Sequence, residues 1–277
     1  MTTRPRPSPR SRSRRSEQEP ARPPGRTGDT PAFDPEGDLI EELTRSSSRR
    51  ALAIFAHPDD ADFTSAGTLA LLASLGWDVS LVVTTSGNKG TKDPGVTPQD
   101  LAGVREDEQR AACRAMRVNE PVFLGFPDGY FPNDDETRGL LVRQIRLHRP
   151  ALVITWDGFR PGFNHIDHRN TGRATYDAIY PAADDHLYYP LDKEEDLQPH
   201  RPDAMLLAGT REPDYHVDIE PVFRKKIRAV LAHASQMRGR SEQDMVRMYR
   251  ERAKQLREAG EEPPYMRESF QKVLFRR

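Results

Sequence analysis

Apolar positions along the chain fall into short continuous runs separated by longer amphipathic stretches. The runs lie at 51–56 (ALAIFA), 77–86 (WDVSLVVTTS), 121–126 (PVFLGF), 151–156 (ALVITW) and 203–209 (DAMLLAG). Runs of this length, bounded by turn residues, suit strands buried on both faces. Between them, 65–76, 98–116, 135–149 and 169–183 space their apolar residues three and four apart, the helical period. A short helix is expected over 38–46, a further strand at 215–219, and final helices over 220–235 and 241–260. Strands alternating with helices imply right-handed crossovers. The expected fold is therefore Rossmann-like α/β, a mostly parallel sheet with helices on both faces.

Composition changes this picture only at the N-terminus. Of the 277 residues, 35% are hydrophobic, enough for a core if the polar excess is confined. Residues 1–30 hold eight arginines, three acids and six prolines with almost nothing apolar, so 1–33 reads as a disordered Arg/Pro-rich arm. Residues 34–277 read as a single α/β domain whose net charge of about −6 argues against nucleic acid as its partner. No apolar segment long enough for a secretory signal or a membrane helix stands out, and the single cysteine, Cys113, excludes a multi-cysteine metal site. A cytoplasmic protein is expected, with self-association left open. Cys113, within a helical pattern, reads as a small core residue.

The chemistry starts where the first strand ends, at His57-Pro58-Asp59-Asp60. Adjacent carboxylates repel unless a cation or shared proton separates them. An isolated HPDD also reads as a turn that caps the next helix. A second stretch, "FNHIDH", answers it from the loop after the fourth strand, where His165 and His168 flank Asp167. In an open sheet of this kind both loops fall at the carboxyl edge, where ligands bind. Two imidazoles and a carboxylate suit Zn²⁺ while leaving a position for water, and the same set serves Fe²⁺.

Together these motifs resemble the PIG-L/LmbE family of zinc-dependent N-acetylglucosaminyl-type deacetylases, over roughly residues 50–220. The resemblance implies His57, Asp60 and His168 as metal ligands and Asp59 as general base. It implies His165 as the group that stabilises the oxyanion or protonates the leaving amine, with Asp167 orienting His165. Three positions depart from the family pattern. Ala61 stands for the usual Glu, Ile166 for Pro, and "SGNKG" carries Asn88 and Lys89 where many relatives are acidic. Only the last touches the substrate rim.

Four further residues are candidates for substrate contact: Arg105, Asp128, Asn164 and His216. Arg105 also reads as an exposed i,i+3 ion pair with Glu108 and Asp128 as a plain turn carboxylate, while His216 is expected as an acid at the rim or behind it. His148 and His233 read as structural. The expected function is a metal-dependent hydrolase that cleaves an N-acyl group, N-acetyl by preference, from an amino-sugar-containing small molecule by attack of zinc-bound water. The alternatives are an amidase of thiol–sugar conjugates or a secondary-metabolite deacetylase. From a different class, a non-catalytic Rossmann-like binding module is disfavoured because no G-x-G-x-x-G follows the first strand.

Overall fold

A computed structural model describes residues 37–45, 48–189, 195–237 and 239–275; the arm at 1–33 lies outside them. In chain order the elements are α1 (Leu39–Arg45), β1 (Arg50–Phe55), α2 (Asp60–Ser74), β2 (Asp78–Thr85), α3 (Pro98–Met116) and β3 (Val122–Phe126). Then come α4 (Asp135–His148), β4 (Leu152–Trp156), α5 (Ile166–Asp177), a π-helical turn (Ala178–Ala183), β5 (Ala204–Ala208) and β6 (Tyr215–Asp218). A 3-10 turn (Glu220–Val222), α6 (Phe223–Ala232), α7 (Ala234–Met237), α8 (Glu242–Glu258) and β7 (Arg267–Leu274) complete the order.

The sheet runs β3-β2-β1-β4-β5-β7-β6. Strands β1 to β5 pair in parallel, and β1 lies between β2 and β4 in register Ala53↔Leu81 and Ala53↔Ile154. The central strands β1, β4 and β5 are buried almost throughout, as their unbroken apolar runs require. Helices α2, α3 and α6 pack together on one face; α4, α5 and the π-helical turn pack on the other. There Leu52, Ile54, Val153, Leu141, Ile145 and Ala174 share one core cluster. Among the described residues no helix is long and apolar enough to cross a membrane.

Two boundaries and one strand differ from expectation. Helix α2 starts at Asp60 rather than at 65, and α5 at Ile166 rather than at 169. The early turns are acidic and polar, which reads as loop, yet carboxylates in a first turn are favoured by the helix dipole. Strand β7, for which 241–260 left no expectation, inserts antiparallel between β5 and β6. It buries Glu268 beside Phe270, so its inward face lacks an apolar alternation. Glu268 is satisfied by Lys226 from α6 and by the backbone N–H of Gly67 and Thr68 in α2 (2.9 and 2.7 Å).

Candidate metal centre

From β1 the chain turns one way to β2 and β3, and from β4 the other way to β5; between β1 and β4 lies the switch point of the sheet. His57 follows β1 there, and α5 begins on the loop after β4 with His165 as its N-cap. This juxtaposition brings together two motifs more than a hundred residues apart. His57 Nδ1 lies 3.0 Å from His168 Nε2 and 3.3 Å from Asp60 Oδ2, and His168 Nε2 lies 3.2 Å from Asp60 Oδ1. Zinc bonds of about 2.0–2.2 Å in a tetrahedron set their donors roughly 3.3 Å apart. One nitrogen from each histidine and the two carboxylate oxygens of Asp60 fall near that spacing, and Asp60 Oδ2 also accepts the His57 backbone N–H at 2.8 Å.

The donor chemistry asks for a cation as well. Two ring nitrogens facing each other at 3.0 Å need a proton or a metal between them. His57 Nε2 is committed to carboxylates, lying 3.2 Å from both Asp128 Oδ1 and Asp167 Oδ2. That side carries the proton and leaves the Nδ1 lone pair for a metal. Two other groupings also draw donor atoms close together: His57 with His165 and His168, and His57 with Asp128, His165 and Asp167. Asp167 is poorly free for ligation, since its oxygens accept the N–H of Gly129 at 2.6 Å and of Phe131 at 3.0 Å. The Nδ1 side is the better cradle. Burial alone would depress the His57 pKa, but the charge of Asp60 and hydrogen bonds to Asp128, Asp167 and Asp60 push it up to about 12, so a metal at Nδ1 would bind by displacing a proton.

Trp156, at the end of β4, was not singled out by sequence. Its indole N–H donates to Asp60 Oδ2 at 3.0 Å, and its ring stacks on His168 with centroids 4.4 Å apart. His165 stacks on the opposite side of His168 at 4.8 Å. The ring of His168 is thus held between two planes. A tryptophan on the last position of a strand that precedes a histidine motif was the available signal.

Asp59 is partnered by Arg105, next to the cluster. Its φ of 109° turns the chain sharply between the two carboxylates, and its Oδ2 accepts from Arg105 Nη2 at 3.0 Å. Burial and the charge of Asp60 push its pKa up to about 7, against the opposing pull of Arg105. Arg105, expected at the substrate, is buried. Its guanidinium donates to the carbonyls of Pro58 and Gly87 as well as to Asp59. The loop after β2 closes over it: a Cβ on Gly87, whose φ is +60°, would sit 2.4 Å from Arg105 Nη1. The glycines of "SGNKG" make room for this arginine. Glu108 turns away to Ser235, accepting from its N–H and hydroxyl, each at 2.7 Å.

Asp167 is likewise repartnered. Its nearest approach to a ring nitrogen of His165 is 4.0 Å, and the backbone N–H of Asp167 donates to His165 Nδ1 at 3.3 Å. The proton of neutral His165 therefore sits on Nε2, which faces Asp128 Oδ1 at 3.7 Å. Burial, and the neighbouring His57 and His168, hold the pKa of His165 below its ordinary value. Asp128 stays charged because His57 offsets its burial, and its carboxylate faces both imidazoles rather than open solvent. Asn164, next to His165 in the chain, is exposed. His216 is not part of it. Three strand positions separate β6 from β4, and His216 hydrogen-bonds Ser269 at 2.9 Å beside a separate recess of about 680 Å³ lined by Asp38, Asp218 and Tyr265.

A family model described as PIG-L, GlcNAc-PI de-N-acetylase, matches residues 52–179, the span that holds every residue of the cluster. The diacetylchitobiose deacetylase of Thermococcus kodakarensis is 34% identical over 188 residues, covering 68% of this chain and 70% of its own. The chain belongs to the PIG-L family. Among solved structures, N,N'-diacetylchitobiose deacetylase from Pyrococcus horikoshii shares the fold with a TM-score of 0.72, at 24% identity over 85% of this chain and 90% of its own. The 4-carboxy-2-hydroxymuconate hydratase of Pseudomonas putida shares it too, with a TM-score of 0.67 at 20% identity over 82% and 97% of the two chains. At these identities the likeness is one of fold, and a PIG-L fold carries more than one chemistry. The chemistry must be argued from the residues.

Proposed function

We propose that this PIG-L member is a metal-dependent hydrolase that removes an N-acetyl group from an amino-sugar-containing small molecule, with Zn²⁺ held by His57, Asp60 and His168. The observation that carries the reading is the convergence of those three donors at 3.0–3.3 Å beside Asp59, a carboxylate outside the three-donor set. A de-N-acetylase family model and a deacetylase relative of a two-sugar substrate support the bond and the substrate class. Fe²⁺ suits the same donors, and hydrolysis requires no redox change.

A bound Zn²⁺ supplies a Lewis acid and lowers the pKa of water towards about 7. Asp59 accepts a proton from the attacking water as its oxygen bonds to the amide carbon. The neutral imidazole of His165 offers Nε2–H to the developing oxyanion, a donor held in place beforehand by the Asp167 N–H on its other nitrogen. When the C–N bond breaks, the proton on Asp59 goes to the departing nitrogen, leaving a neutral amine and acetic acid, which pass a proton between them to give ammonium and acetate. Trp156 and Asp167 hold the ligating groups, and Asp128 faces both His57 and His165.

The test is amine release from N,N'-diacetylchitobiose and N-acetylglucosamine by metal-stripped protein, with and without Zn²⁺. Zinc-dependent release is expected, absent in Asp59→Asn and His168→Ala, with zinc still bound stoichiometrically by Asp59→Asn and not by His168→Ala. Failure of the wild type to bind zinc at all would overturn the reading.

A further inference from the structure

The peptide bond between Pro58 and Asp59 is held at both ends by one face of α3. Its carbonyl accepts from Arg105 Nη2, and its N–H donates to Gln109 Oε1 at 3.0 Å. Arg105 and Gln109 are four residues apart, so both side chains rise from the same helix face. Both are buried, Gln109 completely. The peptide leads into Asp59 at φ 109°, a conformation that an L-residue rarely adopts without outside support.

Gln109 cannot turn over. Its oxygen must face the Asp59 N–H, so its NH₂ points the other way and donates to Asp62 Oδ2 at 2.8 Å. The same Asp62 oxygen lies 2.9 Å from His233 Nε2. Asp62 and His233 are both fully buried. A directed chain thus runs from the C-terminal end of α6 through Asp62 and Gln109 to the backbone of Asp59. Neither Gln109 nor His233 is a donor in the three-atom cradle, and the chain ends at the one carboxylate of the HPDD motif that lies outside it.

We infer that Gln109, anchored by Asp62 and His233, is a positioning residue that sets the Asp59 carboxylate for proton transfer. With Gln109 in place the 58–59 peptide has one orientation, and Arg105 then meets the carboxylate. Without it the N–H loses its buried acceptor, and the peptide is free to rotate towards ordinary φ. The inference rests on Asp59 acting as the base, and the experiment separates the two.

Gln109→Met keeps length and removes both hydrogen bonds. With N,N'-diacetylchitobiose as probe, it is expected to lower kcat at least tenfold with KM within twofold of wild type and zinc stoichiometry unchanged. Asp62→Ala, which removes the anchor without touching α3, is expected to follow it. Asp62→Asn keeps an acceptor for Gln109 and should recover most of the rate. A crystal structure of Gln109→Met should show the 58–59 peptide rotated and Asp59 out of positive φ. Wild-type kcat in folded, zinc-loaded Gln109→Met, or a rise in KM alone, overturns the inference. So does an unmoved 58–59 peptide. If Asp59→Asn keeps the wild-type rate, the base assignment fails instead, and with it any role for Gln109 in proton transfer.

Discussion

Asp167 holds His57, its Oδ2 3.2 Å from His57 Nε2, while its other oxygen and the same Oδ2 are secured by the N–H groups of Phe131 and Gly129. The carboxylate of the second motif therefore serves the histidine of the first. A carboxylate behind a ligating imidazole fixes its ring and raises its basicity, and losing such a partner typically costs 10–100-fold in metal affinity. Asp167→Ala is expected to weaken zinc binding by about that factor. Competition against a chelator of known affinity measures it, and wild-type affinity would mean that Asp167 serves only the loop at 129–131.

The buried pair of His233 and Asp62 makes stability depend on pH. Burial opposes charge on His233, but the hydrogen bond and charge of Asp62 raise its pKa above 6.5. A raised folded pKa means that the protonated form is favoured in the folded state. The stabilisation is therefore complete below about pH 6.5 and fades as pH climbs through the folded value. Urea unfolding of wild type and His233→Gln should show the larger gap at pH 6 and a smaller one at pH 9. A gap that widens with pH would contradict the ion pair.

Lys226 and Glu268 join α6 to β7 deep in the molecule, and both are nearly inaccessible. Glu268 also accepts from the backbone of α2 and from the Thr68 hydroxyl at 2.6 Å. Breaking a buried pair by removing one partner costs about 3–5 kcal/mol. Glu268→Gln should lose stability on that scale, because it removes the charge opposite buried Lys226 and sets an NH₂ against the N–H and O–H donors of Gly67, Thr68 or Lys226. Combining it with Lys226→Met should restore part of the loss. A double-mutant cycle in urea reads the coupling.

Cys113 sits wholly inside α3's packed face, and burial together with the charge of Asp62 pushes its thiol up to about 12. The nucleophile is the thiolate, so the native protein should resist thiol reagents at pH 8. Labelling should proceed at the rate at which the molecule opens, and full reaction in urea supplies the control. Rapid native labelling would place the thiol near solvent.

The fold was largely legible because β1, β4 and β5 are buried on both faces, which leaves an unbroken apolar run in the sequence. Strand β7 was not, since its inward Glu268 is neutralised by Lys226 from a helix about forty residues upstream. A charge in a core position looks like a surface residue until its partner is known. The meeting of the two motifs was legible for a similar reason. His57, Asp60 and His168 stand beside strand ends, where a parallel sheet gathers ligands, whereas Trp156 and Gln109 look like ordinary strand and helix residues.

The sequence by itself determined which groups are available at the carboxyl edge and in what order strands and helices deliver them. Spacing along the chain carries that information, because strands and helices repeat locally. Partnership was decided only by the tertiary structure. It set Arg105 against Asp59, brought Asp167 to His57, and left His216 three strand positions away from β4. Such choices depend on which side chains meet across the sheet edge within about 3 Å. Local periodicity contains no term for that distance.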